Sequence, residues 1–132
     1  MKSPRGRVRK PPGGEMLEER CVVLCARVGK RVSAQEAQAI GDVLVDAEAN
    51  GWWFLSPGTA IAVFISRKSG AERAADCEAA LRRLAATQDS LAGLDIGIAD
   101  GMLAAAFTRA DLIESMPVGE VVAQAVRKAM RK

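Results

Sequence analysis

Apolar residues first form a continuous run and then recur at helical spacing. Residues 21–28 (CVVLCARV) are rich in Val and Leu and stop at Gly29, which predicts a buried strand. Residues 33–36 then have the spacing of a capping box, and apolar residues recur every three or four positions until Asn50-Gly51. This pattern predicts a helix over residues 33–49.

The next segment changes from a strand pattern to a helix pattern. Residues 52–55 and 59–65 are β-prone runs, and Ser56-Pro57-Gly58 between them favours a tight turn. The two runs therefore predict a hairpin. A second capping box at residues 69–72 opens an amphipathic pattern, which predicts a helix over residues 70–87.

The last third of the chain predicts a second hairpin and a final helix. Residues 94–99 and 102–107 flank Asp100-Gly101, a dipeptide that favours the turn matching the twist of paired strands. Apolar residues at helical spacing over residues 118–129 follow Pro117, and basic residues end the pattern.

The element order is thus β-α-β-β-α-β-β-α. It predicts the α+β class and a ferredoxin-like sandwich, with a βαββαβ core, an extra hairpin strand and a C-terminal helix. We expect the helices on one face of a mixed sheet. The 132 residues suit one domain, which we place at 15–132 after a disordered basic tail over residues 1–14, where seven residues are Pro, Gly or Ser.

The formal charges divide the chain into an acidic body and basic ends. The tail holds five bases and no acid, whereas residues 15–126 hold ten bases and sixteen acids, a net charge of −6. The pI of about 9.0 therefore describes the ends and does not indicate a folded nucleic-acid surface.

The tail itself supports two interpretations. Residues 4–7 resemble the Arg-Gly-Arg core of an AT-hook, which lies in the narrow minor groove of A·T-rich DNA. In that interpretation the candidate contacts are Arg5, Arg7, Arg9 and Lys10. The alternative is a solvated tail that binds polyanions such as nucleic acid weakly and without sequence preference.

The amino-acid composition excludes several kinds of catalytic and metal-binding site. The chain has no His, which excludes a Ser-His-Asp triad, a His-ligated zinc site and an imidazole base. Its three Cys are too sparse for a disulfide framework, so we interpret them as buried hydrophobes in a reducing compartment. No run reaches the roughly 18–20 apolar residues of a membrane helix, and we expect no membrane contact and a cytoplasmic location.

Four segments together resemble the catalytic domain of class III adenylate and guanylate cyclases. Residues 24–29 are similar to the family's first-strand motif, and residues 50–64 to its glycine-containing hairpin. Residues 94–101 and 117–127 are similar to two later motifs, in the same order and at matching spacing. The resemblance implies the cyclase fold, head-to-tail dimers and a site where two aspartates hold two magnesium ions.

Several functional positions of that family carry other residues here. Arg27 and Thr59 stand where the resemblance places the two metal-binding aspartates. Hydrophobic residues occupy the three positions that the family uses to recognise the base and the ribose, namely Leu55, Met116 and Ala123. The transition-state arginine persists as Arg127. Because nothing would hold the metal, we expect no turnover, no metal and no cofactor.

The two arginines at these positions each allow a structural and a functional interpretation. Arg127 is a candidate anion-binding residue, or only a favourable cation in the last turn of a helix. Arg27 ends a buried strand, so we expect a salt bridge to Asp95 or Glu120.

These observations predict a non-catalytic cyclase-homology domain that acts as a binding or regulatory module, through a homodimer or a protein partner. Trp52 and Trp53 place one indole on each face of a strand, so they are candidate interface residues unless both are covered within the monomer. Nucleotide binding without turnover is compatible with this prediction. Two alternatives stay open, a DNA-associated protein that uses its Arg-Gly-Arg tail and the inactive half of a heterodimeric cyclase.

Overall fold

The computed structural model describes residues 14–108, 112–113, 117 and 119–130. Within them, helices and strands follow one another in the order β-α-β-β-α-β-α. The strands are β1 (Gly14–Arg27), β2 (Gly51–Ser56), β3 (Thr59–Ile65) and β4 (Asp95–Thr108). The helices are α1 (Ala34–Asp46), α2 (Gly70–Thr87) and α3 (Glu120–Met130). The predicted disordered tail lies outside the described residues, except for Gly14, which belongs to β1.

The strands form one four-stranded sheet in the order β2-β3-β1-β4. β1 pairs with both β3 and β4, and each of these pairings is antiparallel, as is that of β2 with β3. The strand order and the two crossover helices confirm the α+β class and the ferredoxin-like arrangement. The expected mixed sheet is wrong, because β1 and β2 run in the same direction but β3 lies between them.

β4 passes through Asp100-Gly101 without a turn, so the predicted second hairpin and its extra strand are wrong. Cys21 pairs with Gly101 and Val22 with Asp100 in an uninterrupted register between β1 and β4. Asp100 also accepts a 3.1 Å hydrogen bond from Arg20 across the two strands. Gly101 leaves space for α3 and does not form a turn, since a Cβ there would lie 3.2 Å from the Val121 side chain. The glycine therefore allows the helix to approach the strand.

The sheet is covered on both faces, whereas we expected all helices on one. Alternate residues of β1 pack under α1 and α2, in a cluster that includes Ile40, Leu44 and Leu81. The intervening residues of β1 pack under α3, in a cluster that includes Val121 and Ala125. Residues 60–65 of β3 show the reason, because all of them are buried. A strand that is apolar on both sides needs cover on both.

The predicted capping boxes have different outcomes. The first is confirmed, since Ser33 Oγ accepts from the Glu36 amide at 3.1 Å and Glu36 Oε1 accepts from the Ser33 amide at 2.7 Å. The second is wrong, because Ser69 lies at a φ of 60° and its side chain makes no capping bond. α1 ends at Asp46, before the predicted residue 49, and Glu48 follows at a φ of 61°. None of the described helices is long and apolar enough to cross a membrane.

Candidate functional site

Arg27 and Thr59 lie side by side at one end of the sheet. They are register partners, Arg27 as the last residue of β1 and Thr59 as the first residue of β3. On its other side Arg27 pairs with Asp95, the first residue of β4. Because side chains alternate along a strand, these three residues share the sheet face that α3 covers, together with Cys25 and Ile61. The fold thus brings together the two positions that the resemblance assigns to metal binding.

Arg27 and Thr59 belong to the lining of an open cleft of about 300 Å³. Its walls are the β1–α1 loop, residues 27–31, and the β2–β3 turn, residues 56–59. Two backbone bonds join the walls, from the Val28 amide to Gly58 O at 2.8 Å and from the Val32 amide to Pro57 O at 3.0 Å. A Cβ at Gly58 would lie 2.4 Å from Lys30 O, so only glycine permits this close approach.

The lining of this cleft is cationic. Arg27, Lys30 and Arg31 contribute to it, and none of the described residues that line it is a carboxylate. Two acids lie just outside: Asp95 beside Arg27 in the register, and Glu36, whose Oε1 is 3.5 Å from Lys30 Nζ. Hydrogen bonds from the Ser90 side chain and the Ser33 amide, together with the charge of Lys30, lower the pKa of Glu36 to about 2. Glu36 therefore stays ionised at neutral pH, where it pairs with Lys30 at the rim.

The residues of the cleft do not fit the magnesium ions that the cyclase resemblance implies. Mg²⁺ takes hard oxygen ligands, usually with carboxylates among them. The two metal positions hold a guanidinium, which repels a cation, and a neutral hydroxyl. Among the described residues no group of three or more His, Cys, Asp or Glu is placed to hold a metal ion. The groups that line the cleft suit an anion.

Of the other positions carried over from the resemblance, those that the structure describes do not line the cleft. Leu55 is 41% exposed on β2 and Ala123 is half-buried on α3, and neither lines the cleft. Met116 lies outside the described residues. Arg127 forms a 2.8 Å ion pair with Glu120 within α3. The salt bridge expected between Arg27 and Asp95 or Glu120 is wrong, since no ion pair joins Arg27 to either acid, both of which the structure describes. Glu120 pairs with Arg127, and Asp95 is the register neighbour of Arg27.

The two tryptophans occupy opposite faces of β2, as the alternation predicts. Trp52 packs on α1, where a Cβ at Gly41 would lie 2.9 Å from its ring, and 36% of Trp52 stays exposed. Trp53 packs against the α3-face cluster, which includes Ile113. Their role in an interface remains a prediction.

A second arginine closes the opposite end of the sheet, and the sequence patterns missed it. Asn50 Oδ1 accepts hydrogen bonds from the Ile65 amide and from Arg73, both at 2.9 Å. Arg73 also donates to the carbonyl oxygen of Lys68 at 2.9 Å and to that of Glu48. One residue could have indicated this contact, namely Asn50, a polar residue directly before a strand. In the sequence pattern, Asn50 indicates only the end of a helix.

The three cysteines are buried free thiols, which confirms their interpretation as small hydrophobes. Burial raises the pKa of Cys21 and of Cys77 to about 12. It raises the pKa of Cys25 to about 11, where the charge of Arg27 opposes the rise. All three thiols therefore stay protonated at neutral pH and are poor nucleophiles.

Comparison with known proteins identifies the fold. No protein-family model matches the sequence, and no curated protein matches it. The dimeric guanylyl cyclase domain of the RhoGC fusion protein from the aquatic fungus Blastocladiella emersonii superposes with a TM-score of 0.59 at 17% identity, over 89% of this chain and 77% of that one. The catalytic core of a rhodopsin-guanylyl cyclase in complex with ATPαS also gives a TM-score of 0.59, at 18% identity, over 88% of this chain and 74% of that one.

An adenylyl cyclase shares the same architecture. A bacterial light-regulated adenylyl cyclase gives a TM-score of 0.58 at 14% identity, over 88% of this chain. The chain spans 41% of the length of that cyclase. At such identities the similarity concerns the fold, and it agrees with the order of the motifs in the sequence. The chain therefore has the fold of the catalytic domain of adenylyl and guanylyl cyclases.

Proposed function

We propose that this protein is a non-catalytic module with the cyclase fold, which acts by binding a second copy of itself or a protein partner. The observation that carries the proposal is the placement of Arg27 beside Thr59 in the cleft. In the cyclase family that the sequence resembles, aspartates at these positions hold the metal ions that activate the ribose hydroxyl and neutralise the triphosphate. A guanidinium and a hydroxyl do not provide those ligands.

The chemistry of Arg27 argues against turnover by another route. Electrostatic stabilisation supplies most of the acceleration in phosphoryl-type reactions. A guanidinium can offset charge on a phosphate, but it stays protonated and accepts no proton from an attacking hydroxyl. Thr59 supplies a neutral hydroxyl with no ability to ionise at physiological pH. We infer that the chain does not cyclise ATP or GTP.

The outer edge of the sheet supports a role in pairing. β2 is an edge strand, and Trp52 and Leu55 on it are 36% and 41% exposed. Residues 49–66 contain no charged residue. An apolar edge strand without charges is a surface that proteins usually cover. The guanylyl cyclase domain from Blastocladiella emersonii that shares the fold is dimeric.

The two alternatives have less support. The candidate DNA contacts Arg5, Arg7, Arg9 and Lys10 lie outside the described residues. A heterodimer with a catalytic partner agrees with pairing through β2. In that arrangement the partner chain supplies both metal-binding aspartates.

An activity assay and a mass measurement on the full chain test the proposal. We expect no cyclic AMP or cyclic GMP above a protein-free blank when the chain is incubated with Mn²⁺ and ATP or GTP. An active guanylyl cyclase domain in the same assay is the positive control. Cyclic product above the blank would contradict the proposal.

Light scattering tests the pairing itself. We expect the mass of a dimer, and we expect Leu55→Ser to shift the mass toward that of the monomer, because Leu55 is 41% exposed on the edge strand. Val45→Ser is the matched control, since Val45 is 56% exposed on α1. A monomer mass for the unchanged protein, or equal masses for both variants, would rule out self-association through β2.

A further inference from the structure

We propose that the cleft beside Arg27 binds a polyphosphate anion without a divalent metal. The guanidinium of Arg27 takes the role that a metal ion would have and pairs directly with phosphate oxygens. The inference rests on the proposed non-catalytic function, and it adds the chemical class of the ligand and its independence of metal.

Three cations line one small space. Arg27, Lys30 and Arg31 belong to the lining of a cleft of about 300 Å³. No hydrogen bond or ion pair joins the Arg27 side chain to any other residue that the structure describes. A guanidinium presents paired N–H donors whose geometry matches two oxygens of a phosphate. Arg27 is therefore available to a ligand.

The backbone of the β1–α1 loop adds further donors. The Val28 and Val32 amides are bonded to the opposite turn, at 2.8 and 3.0 Å. Between them, the amides of residues 29–31 donate to no acceptor within the described part of the chain. The space beside this loop is open, since a Cβ at Gly29 would meet no atom within 4 Å. These amide donors are therefore left for solvent or for a ligand.

Size and charge together define the ligand. A volume of about 300 Å³ is at the lower end of small-molecule sites, so it accommodates a chain of phosphates and leaves the rest of a larger ligand outside. Glu36 and Asp95 nearby offset part of the positive charge, which favours ligands with several negative charges. A polyphosphate that carries Mg²⁺ loses two of its charges and brings a cation toward Arg27. Magnesium should therefore weaken binding.

Calorimetric titration of the full chain with inorganic triphosphate tests the site, first with excess EDTA and then with excess MgCl₂. We expect binding in EDTA and weaker binding in MgCl₂. Arg27→Gln and Arg31→Gln should each weaken binding about tenfold, as expected when a charge-assisted hydrogen bond is lost. Arg82→Gln removes the same charge from α2, where Arg82 pairs with Glu78 at 2.8 Å, and should leave the affinity unchanged.

ATP and GTP form a second arm that separates two sources of the same chemistry. Equal affinity for triphosphate, ATP and GTP supports a site that contacts only the phosphate chain, and tighter nucleotide binding supports the same site with added contacts to the nucleoside. Three results would overturn the inference: no binding of triphosphate in EDTA, binding only with MgCl₂, or unchanged affinity in both arginine variants. Cyclic product from ATP or GTP would instead overturn the proposed function, whatever the titration shows.

Discussion

Each end of the sheet carries an arginine, and the two are used in opposite ways. At one end the Arg73 guanidinium lies 5.4 Å from the centroid of the Phe64 ring and donates to Asn50 Oδ1 and to two backbone carbonyls. At the other end Arg27 lines an open cleft, and no hydrogen bond or ion pair joins its side chain to another described residue. Arg27 is the last residue of β1, whereas Arg73 belongs to α2.

The difference shows that an arginine has a structural or a ligand-binding role according to whether the fold provides hydrogen-bond acceptors for its guanidinium. A guanidinium whose donors are satisfied within the protein holds neighbouring segments together, as Arg73 does for the residues before β2 and before α2. A guanidinium without such acceptors keeps its donors for a ligand. Local sequence does not distinguish these two cases, because Glu48 and Asn50, which supply two acceptors of Arg73, lie in a distant segment.

The largest effect is expected at the closed end of the sheet. Asn50→Ala should lower the free energy of unfolding by about 3 kcal/mol, because it leaves the buried Ile65 amide without its acceptor and removes a partner of Arg73. Denaturation with urea measures the change. Gln38→Ala, which removes an exposed bond to Asp42, is the control and should change stability by less than about 0.5 kcal/mol. A loss below about 1 kcal/mol for Asn50→Ala would show that other contacts hold this end.

A smaller effect is expected from the turn that forms one wall of the cleft. Gly58→Ala should cost about 1–3 kcal/mol, because the new Cβ would lie 2.4 Å from Lys30 O and push the two walls apart. The same variant should weaken triphosphate binding, since the loop that carries Lys30 and Arg31 moves. Gly29→Ala is the matched control, with no atom within 4 Å of the new Cβ. Equal unfolding midpoints for the two variants would contradict this account of the turn.

A pH-dependent effect is expected at the rim of the cleft. The pKa of Glu36 is lowered from 4.5 to about 2, so the ionised side chain stabilises the folded state above pH 4.5. That contribution is lost as the pH falls toward 2. Glu36→Gln keeps the capping geometry and removes the charge. The stability difference between the protein and this variant should therefore shrink from pH 4.5 downward in urea titrations, and a constant difference would disprove the role of the charge.

The smallest effect on stability is expected at Arg27 itself. Arg27→Gln should change the free energy of unfolding by less than about 0.5 kcal/mol, because the side chain is not bonded to other described residues. Unfolding in urea, measured beside the triphosphate titration, checks this. A loss above about 1 kcal/mol would mean that Arg27 holds the end of the sheet, as Arg73 holds the other.

Local sequence patterns predict the elements whose bounds depend mainly on short-range interactions. The helix predicted over residues 70–87 and the strand over residues 59–65 have the observed bounds. The turn at Asp100-Gly101 fails because pairing with β1, which extends back to Gly14, outweighs the turn preference of the dipeptide. The resemblance to cyclases assigns Arg27 and Thr59 to one site. The strand register places the two residues side by side.

The rest of the site depends on contacts that no local spacing encodes. Lys30 and Arg31 join the cleft because two backbone bonds fix their loop against the β2–β3 turn. Asn50 and Arg73 meet because α2 begins close to the end of β3. Each of these pairings joins segments that are separated along the chain, so only the folded arrangement reveals them.

The central position of β1 also has a consequence for how the chain folds. β2 and β3 are neighbours in sequence and can pair as soon as both exist, whereas β1 needs β4 on its other edge, and Cys21 pairs with Gly101. Pairing over such separations closes long loops before the new contacts offset the lost entropy, and this slows folding relative to a helical bundle of similar size. During synthesis the apolar β1 segment leaves the ribosome well before its second partner, and a chaperone that shields this segment would raise the yield of native protein.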